Sequence, residues 1–212
     1  MTVRRIVGGL STTLVAVALL TACSDSEGGT PSPIGQPSTG ESPASSSAAP
    51  SSSADPASDV PRVTEPLDIS VVKQDPCAAL PESIAAGLNL LPGVRDSIQQ
   101  GPYCKYEYDD DSGSIVNVQY EEPFSNGLAD VYARKEALGV FEPTTVSGYP
   151  AVYADRVDSR SEGVCQLLVG MSDTEVLTFY ADLRPSTSDY PQGCAVAEKT
   201  AETVIENLKG GA

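Results

Sequence analysis

The stretch Tyr103-Cys104-Lys105-Tyr106-Glu107-Tyr108-Asp109-Asp110-Asp111-Ser112-Gly113-Ser114-Ile115-Val116-Asn117-Val118-Gln119-Tyr120 decides the fold. Cys104, Tyr106 and Tyr108 alternate with Lys105 and Glu107, and Val116, Val118 and Tyr120 alternate with Asn117 and Gln119. Period-two patterning on both sides of a Asp-Asp-Asp-Ser-Gly turn predicts an antiparallel hairpin with one buried and one wet side. Downstream, residues 144–146, 151–157, 164–171 and 175–183 read as further strands. Gly148, residues 159–163 and Ser172-Asp173 separate them, and Cys165, Leu167, Val169 and Met171 alternate.

Helices bracket these strands. Asp75 suits an N-cap and Pro76 the first helical position, with Pro81 starting a second turn. Leu80, Ile84, Leu88 and Leu91 then recur at helical spacing until Pro92-Gly93 stops the run. Residues 124–138 predict a second helix carrying Leu128, Val131, Tyr132 and Leu138. A closing helix begins at Cys194 and buries Ala197, Ala201, Val204, Ile205 and Leu208. Short turns between strands, with helices at both ends, imply an α+β fold: an antiparallel meander with N- and C-terminal helices packed on it.

Upstream of residue 61 the character changes. Thr2-Val3-Arg4-Arg5 is a basic start, and residues 6–20 are apolar but interrupted by Gly8, Gly9, Ser11, Thr12 and Thr13. Spanning a bilayer takes about 20 predominantly apolar residues, so this run reads as a leader. It closes on Leu20-Thr21-Ala22-Cys23, a junction that resembles a bacterial lipoprotein signal in which Cys23 is lipidated. Residues 23–60 read as a disordered stalk, since 24–59 carry Pro31, Pro33, Pro37, Pro43, Pro50 and Pro56 among serines, with Ile34 their one large apolar residue. The expected organisation is therefore a signal peptide over 1–22, an anchored stalk over 23–60, and one extracytoplasmic domain over 61–212.

The leader holds two arginines and no acid, so removing it takes the net charge of −16 to −18. Such a chain is repelled by nucleic acid, which excludes DNA and RNA as partners. The sequence contains no histidine. Ser-His-Asp and Cys-His nucleophile systems, and zinc sites that use histidine, are therefore out of reach. The leader's Cys23 accounts for the odd cysteine, leaving Cys77, Cys104, Cys165 and Cys194. A four-thiolate zinc site is opposed by the lack of paired Cys-x-x-Cys spacing. An even set in an exported chain reads as two disulfides with three possible pairings. Cys77–Cys104 and Cys165–Cys194 close the shortest loops and are the expected pair.

Asp75-Pro76-Cys77-x-x-Leu80, Tyr103-Cys104-Lys105-Tyr106, Val146-Ser147-Gly148-Tyr149-Pro150-Ala151, Val164-Cys165-Gln166-Leu167 and Gly193-Cys194-Ala195-x-Ala197, behind this leader and stalk, resemble the actinobacterial lipoproteins of the domain-of-unknown-function 3558 family. The likeness covers roughly residues 70–208, with Tyr106 where that family more often has tryptophan. The resemblance implies an envelope-anchored extracytoplasmic domain of a Gram-positive-type actinobacterium, held at the outer face of the cytoplasmic membrane.

Candidate chemistry is sparse. Asp109–Gly113 approaches a calcium loop, but the loop needs glycine at its sixth position and glutamate at its twelfth, and Gly113 stands fifth. It reads as an exposed turn. Glu121 and Glu122 with Asp155 could furnish a carboxylate pair for glycoside hydrolysis. Tyr149, Tyr153, Tyr180 and Tyr190 could line a binding cleft. Lys199 and Lys209 are expected to pair with Glu202 and Glu206. No cofactor and no metal site is expected. The favoured reading is a non-catalytic binding or accessory module whose partner is an envelope protein or wall glycan. A carboxylate hydrolase of envelope glycans and a purely structural surface protein are the alternatives.

Overall fold

A computed structural model describes residues 59–210 of the 212-residue chain. The leader, Cys23 and the stalk up to residue 58 lie outside the described residues. Seven strands form one sheet: β1 (Val94–Ile98), β2 (Gly101–Glu107), β3 (Ile115–Tyr120), β4 (Val140–Val146), β5 (Tyr149–Asp155), β6 (Val164–Ser172) and β7 (Glu175–Asp182). Four α-helices accompany them: α1 (Ser70–Gln74), α2 (Glu82–Ala85), α3 (Leu128–Tyr132) and α4 (Gly193–Lys209).

Every pairing is antiparallel, and the spatial order is β1-β2-β3-β7-β6-β5-β4. Two meanders, β1-β2-β3 and β4-β5-β6-β7, thus run toward each other and meet at β3 and β7. The register there places Asn117 opposite Tyr180 and Gln119 opposite Thr178. The crossover from β3 to β4 carries α3 over one face. Of the two edges, β4 has Pro143 in its middle, which removes a backbone donor and discourages a further strand.

One face is fully closed. Cys104, Tyr106, Val118, Leu167, Val169, Phe179 and Ala181 point into a core with Ile69, Val72 and Leu80 from the N-terminal segment and Ala197, Ala201, Val204 and Ile205 from α4. The alanines on α4 let the helix lie close to the sheet. Both expected disulfides form on this face. Cys77–Cys104 ties the 3-10 turn Pro76–Ala79 to β2, and Cys165–Cys194 ties β6 to the first turn of α4. With sequence separations of 27 and 29, the chain-entropy model gives each roughly 3–4 kcal/mol. The Tyr106 hydroxyl donates to the Leu80 carbonyl (3.2 Å) and reaches that of Cys77 (3.3 Å), holding the same turn from the strand side. Burial pushes its phenol well above the ordinary tyrosine range.

The other face is covered in part. Leu128, Val131 and Tyr132 of α3 pack on Val152, Ala154, Leu168 and Val176, with Phe124, Leu138, Phe141 and Val60 around them. Tyr132 and Phe141 meet edge to face, with centroids 4.9 Å apart. Val60, assigned above to the stalk, is thus packed against the folded part.

Several boundaries differ from expectation. The helix expected over 76–91 is broken: Asp75 does cap it, accepting from the Cys77 amide at 3.1 Å, but Leu80 is extended and Pro81 restarts the chain into α2. Asn89 then turns left-handed (φ 56°), ending the helical stretch before Pro92-Gly93, and Leu91 is exposed rather than buried. The helix expected over 124–138 shrinks to α3 and a 3-10 turn (Lys135–Ala137), because Gly127 at φ 60° blocks an earlier start and Arg134 (φ −109°) leaves helical geometry; β4 starts at Val140 rather than 144. Two elements, α1 and β1, were not anticipated. All five residues of β1 are exposed, so it carries no alternation of burial; its pairing with β2 creates it.

Two substitutions test this clamp. Tyr106→Phe removes the donor to the Leu80 carbonyl inside the core and should cost about 1–3 kcal/mol in urea unfolding with the m-value unchanged. At Gly193, an added Cβ would overlap the Gly163 carbonyl oxygen, because α4 begins against the chain entering β6. Gly193→Ala should therefore lower stability by about 1–3 kcal/mol in the same assay.

Candidate functional site

The half of the second face not occupied by the α3 cluster is lined by polar and tyrosine side chains. Strand register sets them in two rows. Lys105, Asn117, Tyr180 and Gln166 follow one another across β2, β3, β7 and β6, and beside them run Tyr103, Gln119, Thr178 and Leu168. Glu121, two residues past Gln119, extends the polar side of β3, and its amide donates to the Val176 carbonyl at 3.2 Å. At the β1 margin, Val94 and Ile98 are 59% and 51% exposed, and Asp96 accepts from the Tyr103 hydroxyl at 3.0 Å.

Three of these polar residues are buried: Gln119 is 8% exposed, Glu121 6% and Thr178 4%. The alternation of β3 was read above as a wet side carrying Asn117 and Gln119. The structure corrects this for Gln119, which is buried between its cross-strand neighbours Tyr103 and Thr178 in the interior of the sheet. Asn117 Oδ1, Gln119 Nε2 and Thr178 Oγ1 are buried without hydrogen-bond partners. A buried polar atom without a partner costs roughly 1–3 kcal/mol of desolvation, so three on adjacent positions form an unusual concentration.

Burial raises the Glu121 carboxyl above the ordinary glutamate value of 4.5. The Thr178 hydroxyl and the Arg134 guanidinium oppose that rise, although the hydroxyl does not close a hydrogen bond of ordinary geometry. Arg134 lies over the Phe124 ring, 4.7 Å from its centroid. Lys105 is bonded to Glu107 at 2.8 Å.

The residues singled out from sequence are dispersed. Glu121 stands beside Val176, whereas Asp155 pairs with Val140 at the opposite end of the sheet and three strands away. Strand geometry puts them roughly 20 Å apart, beyond the 5–10 Å that two-carboxylate hydrolysis uses. Glu122 is exposed, near Gly101. The tyrosines do not form one cluster. The Tyr153 hydroxyl donates to Glu198 of α4 (2.9 Å), and Tyr149 packs under Lys209 (4.8 Å). Tyr190 lies against Gly163, and Tyr180 stands on the half-open face. Lys199 pairs with Glu202 (3.4 Å), but Lys209 goes to the Ser147 carbonyl and the Tyr149 ring rather than to Glu206.

The acidic turn is a capped hairpin loop. Asp110 accepts from the Ser112 amide (2.9 Å), while Asp111 and Gly113 adopt left-handed φ values of 56° and 75°. Ser112, Ser114 and Thr187 join their hydroxyls, and the Tyr108 hydroxyl donates to Asp189, so the segment before α4 is fastened to this turn. Among the described residues, no group of three acidic or cysteine side chains converges to hold a metal. No helix among them is long and apolar enough to cross a membrane.

Asn117, Gln119 and Thr178 were missed as site residues. The sequence signal was faint: Thr178 is the one polar residue in the run Val176–Phe179 of β7, lying across from an amide.

The fold and its half-open polar face define a disulfide-clamped α+β sandwich. A family model described as Protein of unknown function (DUF3558) matches residues 18–207, and the chain belongs to that family. The match extends well upstream of the roughly 70–208 expected from motifs and takes in Leu20-Thr21-Ala22-Cys23. Comparison with curated proteins and with solved structures returned no match.

The raised carboxyl of Glu121 makes a signed prediction. A folded-state value above the unfolded one contributes stability that is full below about 4.5 and is lost as pH rises through the folded value. Glu121→Gln should remove that loss. Melting temperature plotted against pH should fall less across this window than in the parent chain, with the variant more stable at neutral pH.

Proposed function

We propose that this chain is a lipid-anchored, non-catalytic binding module of the cell envelope, displayed at the outer face of the cytoplasmic membrane, with the half-open face of the sheet as its ligand surface. The observation that carries the reading is that face: two rows of tyrosine, amide and hydroxyl side chains with unpartnered polar atoms, on a scaffold whose opposite face is closed by two disulfides. Binding surfaces combine aromatic contact with convergent polar groups in this way.

Two further features support the placement. The leader ends on Cys23, and a thioether-linked diacylglyceryl group gives the two chains that firm anchoring takes. Disulfides belong to oxidising compartments. The chain also enters the fold at the β6–β7 turn, where Arg62 bonds Asp173 at 2.9 Å and the Val63 amide donates to the same carboxylate at 3.0 Å.

Site-directed photo-crosslinking in intact cells tests the reading. A photoreactive residue replacing Lys105 should yield a discrete adduct with an envelope component, and one replacing Glu202 on α4 should not. Equal labelling from both positions, or none from 105, overturns the assignment of the surface. Mass spectrometry of the native protein should show a diacylated Cys23, and an unmodified thiol there overturns the anchor.

A further inference from the structure

We propose that Asn117, Gln119 and Thr178, flanked by Tyr103 and Tyr180, form a binding site for an uncharged polyhydroxylated ligand, a saccharide. This rests on the reading of the half-open face as a ligand surface and names the chemistry that the face takes.

The argument begins with the unpartnered atoms. Gln119 Nε2 is a donor, Asn117 Oδ1 is an acceptor, and the Thr178 hydroxyl is both. All three are buried, and Gln119 and Thr178 are more than nine-tenths so. Replacing such groups with apolar ones of similar shape would be neutral or stabilising, so the fold gains nothing from them in the unbound state. A ligand that completes them must offer donors and acceptors within a few ångströms of each other. A hydroxyl group does both at a single atom, and adjacent ring hydroxyls repeat that capacity.

The arrangement is compact. Gln119 and Thr178 are cross-strand neighbours, about 5 Å apart at Cβ, and Asn117 lies about 7 Å along the same strand. This triangle suits one sugar unit better than it suits an extended peptide, whose polar groups would need a longer line of partners. Tyr103 stands across from Gln119 on β2, and Tyr180 across from Asn117 on β7, so an aromatic ring flanks the triangle on each side. Aromatic faces stack on the apolar faces of sugars.

Charge selects against ionic ligands. The one cation on the two rows, Lys105, is already bonded to Glu107, and the chain as a whole is strongly acidic, which disfavours an anion. The nearest buried carboxyl, Glu121, is pushed up by burial, against which the Thr178 hydroxyl and the Arg134 guanidinium act, so it presents no free anion to a cationic ligand. In the unbound fold the unpartnered atoms are covered, so ligand entry requires a local side-chain rearrangement that exposes them.

The test is titration of the mature chain with chitotetraose, with maltotetraose and with solubilised cell-wall polysaccharide, read by amide chemical shifts. The oligosaccharides and the polymer separate a free-sugar site from a wall-glycan site. At least one probe should give saturable shifts at 117, 119 and 178 at millimolar concentration or below. Gln119→Leu should weaken that binding at least tenfold while the melting temperature holds or rises, and Asn117→Leu provides the second variant. Three results overturn the proposal. One is no saturable shift with any probe. Another is shifts that neither variant alters. The last is variants that lose binding only by losing melting temperature, which would give the amides a structural role. Saccharide failure together with a discrete crosslink from position 105 leaves the binding face standing and removes the sugar, with a peptide ligand then indicated. Failure of both removes the face.

Discussion

The pairing of β3 with β7 is the contact on which the structure depends. These strands are more than fifty residues apart in the chain, yet six consecutive positions face each other, from Ile115 opposite Asp182 to Tyr120 opposite Leu177. Without that ladder the molecule would be two separate meanders, each with an open edge and half a core. With it, Val116 and Val118 meet Ala181 and Phe179 on one side, while Asn117 and Gln119 meet Tyr180 and Thr178 on the other. The same backbone ladder therefore seals the core and assembles the polar rows.

The two faces of the sheet are built differently. One is closed by α4, by the N-terminal turns and by two covalent links whose loop lengths are each worth roughly 3–4 kcal/mol. The α3 cluster adds a smaller apolar core on the opposite side. The rest of that face carries buried amides and a hydroxyl that lack partners, groups that a marginally held sheet would tolerate poorly.

Much of this was legible in the chain. The strands with clear alternation, β2, β3 and β6, are those that lie between a packed face and a less covered one, where period-two patterning is strongest. The last helix was legible because Ala197, Ala201, Val204 and Ile205 repeat at helical spacing against the sheet. Where the reading failed, tertiary contacts had overridden local signals. Phe141 looked like loop because its packing partner is Tyr132, which lies in a different element. Strand β1 has no buried residue to mark it and exists through its pairing with β2. Tyr149, Tyr153, Tyr180 and Tyr190 seemed one group along the sequence, but strand parity sends Tyr180 to one side and Tyr149 and Tyr153 to the other.

By itself the sequence determined the antiparallel α+β class, the pairing of four cysteines by shortest loop, and the absence of any histidine for chemistry. Those conclusions follow from local periodicity, chain separation and composition, which are properties of the unfolded string. Only the tertiary structure decided the strand order, the burial of Gln119, Glu121 and Thr178, and the gathering of unpartnered atoms at 117, 119 and 178. These depend on which distant strand lies alongside β3, and no local pattern records a neighbour that far along the chain.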